Sequence, residues 1–148
     1  MRRFPRSRRH PHFSQEPLAA ALAGIGIDYV HLVDLGGHRE ERAGSPHVAL
    51  SPGPFRGYAD HMQTPEFARA LARLLELAEK RRTAVLCAEA RWQDCHRRLL
   101  ADRLVAERAL VLHLAEDTAP SEHVLHPGVR IENGLLLYAG RSQRGLFE

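Results

Sequence analysis

The chain is poor in several things at once. It has two cysteines, one tryptophan, two methionines and a single lysine, Lys80, in 148 residues. Two cysteines cannot staple a domain of this size, and they fit a reducing compartment. No apolar run approaches the roughly 18 residues a membrane span requires. The N-terminus carries arginines with no apolar segment after them, so it does not read as a secretory signal. Together these absences point to a soluble cytoplasmic protein, with no membrane partner and one core of ordinary size.

Acid is missing from one stretch. Residues 1–13 contain Arg2, Arg3, Arg6, Arg8 and Arg9 and no carboxylate, a local +5. The whole chain carries +3, which leaves the remainder near −2. The basicity is therefore local. Guanidinium forks suit bidentate recognition of phosphate or carboxylate, although a GC-rich genome also favours arginine over lysine.

What is present alternates helix and strand. Ser14 reads as an N-cap, Leu18, Leu22 and Ile25 as an apolar stripe, and Gly24 and Gly26 as a stop. Ile27 to Val33 reads as a short strand. Residues 34–63 are punctuated by glycine and proline, with one helical turn expected in Phe55 to Met62. Thr64 and Pro65 open the clearest helix, with Phe67, Leu71, Leu74, Leu75 and Ala78 on one face. Thr83 to Ala88 reads as a strand buried on both faces. A helix from Asp94 to about Arg108 and a strand from Leu110 to Leu114 follow. Glu116 to Ser121 reads as a polar connector. Asn133-Gly134 sits between two strand-like runs and signals a hairpin over Val129 to Tyr138. The expected architecture is α/β: a single three-layer domain over residues 1–148, with a mainly parallel sheet, crossover helices and a C-terminal hairpin. Residues 1–13 read as a basic arm or loop and 139–148 as a mobile tail.

Chemistry concentrates in Thr83 to Arg98, where a strand is expected to give way to a helix. Open α/β sheets place ligands at such junctions. With Asp94 as N-cap, Cys95, His96 and Arg97 occupy a first turn whose free N–H groups attract anions. A thiol there is expected below its ordinary pKa of about 8.5. Arg97 is expected to lean over the strand ends as the ligand arginine. Arg98 points away, toward Asp102 at i+4. Glu89 reads either as an acid/base group or as an ion-pair partner for Arg97 or Arg56. Trp92 either covers the loop or stacks on a ring. The cysteines admit three readings: metal ligands with His96, a catalytic or regulatory pair, or small buried filler. The metal reading is set aside because neighbours Cys95 and His96 diverge by about 100° on a helix. No metal or cofactor is expected. Among ten histidines, only His61 and His96 invite a chemical test, while His31 and His113 read as structural residues within strands.

The blocks PRSRRHPHF, DLGGHR, FRGYADHM and LCAEARWQDCHRR resemble the family of domain of unknown function 488, in this order and over nearly the whole chain, hairpin and Leu146-Phe147 included. The resemblance implies a compact prokaryotic α/β domain and supplies no activity. It also implies a departure. Family members begin with a strand, a helix and a second strand ending Asp-Val-Arg, and Met1-Arg2-Arg3 stands where that second strand ends. Carried over block by block, the resemblance implies a site joining Arg6 and Ser7 with Arg56 and Tyr58, completed by Cys87, Glu89, Cys95, His96 and Arg97. Gly36 and Gly37 are expected to serve turn geometry.

Three functions compete. The first is an enzyme acting on a small anionic ligand, a phosphate ester or nucleotide-like molecule, bound at the junction, with Glu89 as acid/base and Arg97 and Arg56 as clamp. The second is nucleic-acid binding by the basic arm, with Phe4 and Phe13 interleaved. The third is thiol redox or sulfur transfer by Cys87 and Cys95. The oligomeric state is left open.

Overall fold

The computed structural model describes residues 7, 10–116 and 118–140. Five of the arm's arginines, Arg6 among them, and the expected tail from Arg141 onward lie outside the described residues.

Helix α1 spans Gln15–Ala23. The Ser14 hydroxyl leaves the helix uncapped and accepts instead from the Ser7 amide at 3.1 Å. Helix α2, Pro54–His61, occupies the region expected to be mostly loop. Helix α3, Pro65–Lys80, starts as its sequence requires. Pro65 sits at the first position, and Thr64 Oγ1 accepts from the Phe67 amide at 3.3 Å. Its buried residues are Phe67, Leu71 and Leu74, on the expected stripe. Glu76 and Lys80 pair at 2.6 Å on the wet side. Helix α4, Arg97–Ala106, begins three residues later than Asp94 suggests. Asp94 lies in the preceding turn and faces Arg91 at 3.4 Å.

Two small antiparallel sheets complete the described fold. Strands β1, Leu112–His113, and β2, Ser121–Glu122, form one, so Ser121, expected to end the connector, begins a strand. Strands β3, Val129–Glu132, and β4, Leu135–Tyr138, form the other. Asn133 and Gly134 join them with φ of 51° and 76°. Two successive positive φ values match the right-handed twist of a hairpin, which is why Asn-Gly works there.

The mainly parallel sheet is not found among the described residues. Residues 27–32 and 82–87 carry no ladder and end as extended, half-exposed chain. The reason lies in what separates them. A cavity of about 490 Å³ is lined by Ile27, Tyr29 and Val30 on one side and by Thr83, Val85 and Leu86 on the other. A second, of about 200 Å³, parts Thr83 and Val85 from Leu110 and Leu112. Ladder bonds require strands about 4.8 Å apart. Clefts stand where those bonds would run, so Ile27, Val30, Leu86 and Leu110 stay exposed.

The core instead joins helices to the hairpin. Leu35, Leu50, Tyr58, Phe67, Leu71, Leu74, Leu99, Leu100, Leu136 and Tyr138 form one buried cluster. Tyr58 meets Phe67 edge to face at 6.0 Å and donates its hydroxyl to the Leu35 carbonyl at 3.0 Å. A Cβ at Gly57 would sit 2.2 Å from the Arg39 carbonyl oxygen, so only glycine lets residues 39–40 lie on α2. Among the described residues no helix is long and apolar enough to cross a membrane.

Candidate functional site

The extended stretch ending at Leu86 delivers Cys87 and Glu89 to the N-terminal side of α4. A turn closed by the Cys95 amide on the Trp92 carbonyl, at 3.2 Å, brings the chain back. Cys95 and His96 therefore precede α4 instead of lying within it. The His96 ring is fixed from two sides. It packs on Tyr58 with centroids 4.9 Å apart, and its Nδ1 would lie 2.5 Å from a Cβ at Gly37. Gly37 thus makes room for an imidazole, a stricter role than the turn geometry expected of it.

The result is a cluster of four donor atoms. Cys87 Sγ lies 2.5 Å from Glu89 Oε2 and 3.9 Å from His96 Nδ1. Cys95 Sγ lies 3.4 Å from Glu89 Oε2 and 3.5 Å from His96 Nδ1. All four atoms fall within 4.8 Å of one another. These are the four residues expected to carry chemistry. The helical divergence used against a metal does not apply, because the two neighbours sit in a turn and the trapped imidazole points back to the sulfurs.

Electrostatics divides the thiols. The neighbouring Cys87 thiol, with help from the Arg97 amide, lowers the Cys95 pKa to about 7, against burial that opposes the shift. Cys87, beside the Cys95 sulfur and itself half-buried, is pushed up. For Glu89, burial pushes upward most strongly, yet the donated Cys87 thiol, its own backbone amide and Cys95 outweigh it and hold the carboxyl below its usual value. The cluster thus collects negative charge. Cys95 is only 2 % exposed.

The expected ligand arginines are placed elsewhere in effect. The Arg97 guanidinium donates to the backbone carbonyls of Glu89 and Ala90, clasping the loop. Arg56 donates to the Leu50 carbonyl at 2.8 Å, to Glu41 at 3.2 Å and to the Val48 carbonyl at 3.4 Å. The two share no partner, and neither pairs with the Glu89 carboxylate. Tyr58 is fully buried in the core, where burial raises its pKa. Ser7 Oγ accepts from the His10 amide at 3.1 Å. His61 donates to the Asp34 carbonyl at 2.7 Å, a structural bond. Arg98 does not pair with Asp102; its guanidinium lies 4.3 Å over the Phe55 ring.

Asp102 has a different role, which helical spacing alone does not disclose. It is 1 % exposed and accepts from His123 Nε2, the His126 amide and the Tyr138 hydroxyl, each at 2.9 Å. His113 in turn meets His123 at 2.8 Å, and Trp92 stacks flat on His113. The available signal was position: an aspartate three residues after Leu99, on the helix face that holds the core.

No curated protein and no solved structure matches the chain. One family model does, over residues 1–104, a span that holds all four cluster residues and stops before His113, His123 and the hairpin. The match covers well over half of the 148 residues, and the chain belongs to the family described as domain of unknown function DUF488.

Proposed function

We propose that Cys87, Glu89, Cys95 and His96 bind one thiophilic divalent cation, of the zinc or ferrous class, and that a small anionic ligand meets the protein at that centre. One observation carries the reading: four donor atoms of suitable type within 4.8 Å. A tetrahedron on metal–ligand bonds of about 2.0–2.3 Å has edges of about 3.3–3.8 Å. Three of the four measured separations, 3.4, 3.5 and 3.9 Å, are close to such edges. The fourth, 2.5 Å between Cys87 and Glu89, is a hydrogen bond whose proton a cation replaces on binding. Two sulfurs favour soft ions over magnesium or calcium. When bound, the cation would supply Lewis acidity toward an anion or water. This chain's residues would set the rest: Tyr58 and Gly37 orient His96, Arg97 holds the Glu89 backbone, and half-buried Glu89 is the ligand able to give way.

The experiment is titration of metal-free protein with Co²⁺. Tetrahedral coordination with sulfur gives intense visible bands and a sulfur-to-cobalt charge-transfer band. We expect both at one ion per chain, with loss of the charge-transfer band in C87S/C95S. A weak octahedral spectrum, or the same spectrum in C87S/C95S, would overturn the reading.

A second reading, thiol redox or sulfur transfer, is favoured by the inequality of the two thiols. It requires the acidic Cys95 to become accessible. Rapid alkylation of Cys95 in metal-free protein supports it, and protection equal to that of a buried thiol removes it. For nucleic-acid binding, the basic arm remains the sequence feature that motivates the test, which is a salt-dependent gel shift at low ionic strength.

A further inference from the structure

Cys87 and Cys95 stand at the two ends of one short loop. Cys87 ends an extended stretch that carries no ladder among the described residues, and it is half-buried. Cys95 closes the turn before α4 and is sealed from solvent. Between them the loop is held together. The Arg97 guanidinium donates to the Glu89 and Ala90 carbonyls, and the Cys95 amide donates to the Trp92 carbonyl. The two sulfurs fall within 4.8 Å of each other. A disulfide bond measures about 2.05 Å, so less than about 3 Å of travel separates the pair from one. Cys87, with no ladder to break, is the side that moves.

One partly exposed sulfur with a second, sheltered sulfur in reach is the arrangement of a reversible thiol pair. The first meets the oxidant, and the second captures it before it climbs to sulfinic acid. Resting on the metal reading above, we infer that the pair is a redox switch on that centre: a hydroperoxide joins Cys87 to Cys95 and the cation leaves. Metal binding holds both sulfurs as thiolates. The Cys87 thiolate attacks one peroxide oxygen; an S–O bond forms, the O–O bond breaks and hydroxide departs. The Cys95 thiolate then attacks the Cys87 sulfur; the S–S bond forms, the S–O bond breaks and a second hydroxide departs. The sulfurs lose two electrons, the peroxide gains them, and a zinc ion keeps its charge. Thiolate is the metal ligand, and a disulfide has none to offer. Glu89 and His96 then remain alone, two donors where zinc takes four ligands. The redox change regulates the centre and turns over no substrate.

The test loads the whole metal-free chain with Zn²⁺, removes excess ion, and adds hydrogen peroxide beside a chromogenic chelator. Trypsin then separates the cysteines, because cleavage after Arg82, Arg91 and Arg97 places them in peptides 83–91 and 92–97. We expect loss of the bound zinc in step with appearance of the two peptides as one disulfide-linked pair, in monomeric protein. Dithiothreitol should restore zinc binding. Zinc released with the cysteines unlinked, zinc retained beside a formed disulfide, or linkage between chains overturns the inference. So does zinc retained with both cysteines reduced. The metal reading is judged before peroxide is added. A chain that binds no zinc loses the centre and the switch together, whereas bound zinc without the linked pair removes the switch alone. Neither measurement needs a variant.

Discussion

Trp92 lies flat on His113, with ring centroids 3.6 Å apart. Trp92 belongs to the turn between Glu89 and Cys95, and His113 to β1. One stack therefore ties the sulfur-bearing loop to the Asp102 hydrogen-bond chain. Replacing Trp92 with leucine keeps apolar bulk but removes the stack, worth about 0.5–1.5 kcal/mol beyond area burial. We expect a destabilisation of about 1–2 kcal/mol in urea denaturation, with broadened His113 ring signals. An unchanged midpoint would show that the stack contributes nothing.

Gly37→Ala tests the cradle of His96. The added Cβ would lie 2.5 Å from Nδ1, closer than real Cβ contacts come, so the imidazole must move. Co²⁺ affinity is expected to fall at least tenfold, in the range that disturbed ligand orientation costs metal sites. Equilibrium competition with a chromogenic chelator reads this out. Gly44→Ala, at φ of 71° with nothing within 4 Å of its Cβ, is the control that strains backbone without touching the cluster.

Asp102→Asn should be among the costliest single changes. The carboxylate is buried and accepts three hydrogen bonds of 2.9 Å, and an amide cannot satisfy all three donors. A loss of about 3–5 kcal/mol is expected for breaking such a buried network. Tyr138→Phe, which deletes one donor and leaves the charge paired, should cost about 1–2 kcal/mol. Denaturation of both variants checks the order; equal costs would assign Asp102 a peripheral role.

The thiols give a pH signature in metal-free protein. Cys95 sits at about 7 when folded against an ordinary value of 9.0, so ionisation is favoured in the folded state. Stability from this group is absent at low pH, builds as pH rises from about 7, and is complete above 9. Cys87 is shifted the other way, so its contribution falls once pH passes the ordinary value of 9.0. Stability should therefore climb from pH 7 to 9 and turn down beyond it, and thiolate absorbance should show one thiol titrating near 7. In Cys95→Ser the climb should vanish. Two thiols ionising together near 9 would contradict the unequal pair.

Local chemistry was legible where one residue type has one geometric use. Thr64 and Pro65 fixed the start of α3, and Asn133-Gly134 fixed the hairpin, since each choice closes its own hydrogen bonds. The site's four reactive side chains were legible as a group because they crowd ten residues. The lack of a parallel sheet among the described residues was not, because Ile27 to Val33 and Thr83 to Ala88 read as strands in sequence and say nothing of the distance to a partner. Asp94 misled in a specific way: it satisfies the pattern of an N-cap, yet the Cys95–Trp92 turn places the helix start at Arg97. That shift of three residues carried the argument against a metal with it. Asp102 looked like the surface partner of Arg98 because spacing on a helix does not say which neighbours cover it.

The family span stops at residue 104, inside α4, two residues after Asp102. The donors that quiet that carboxylate, His123, His126 and Tyr138, all come from the remaining stretch. A polypeptide trimmed to the shared span would lose all three donors, the core side chains Leu136 and Tyr138, and the last two residues of α4. The C-terminal stretch thus completes the packing around α4, and expression trials of this protein should keep the two together.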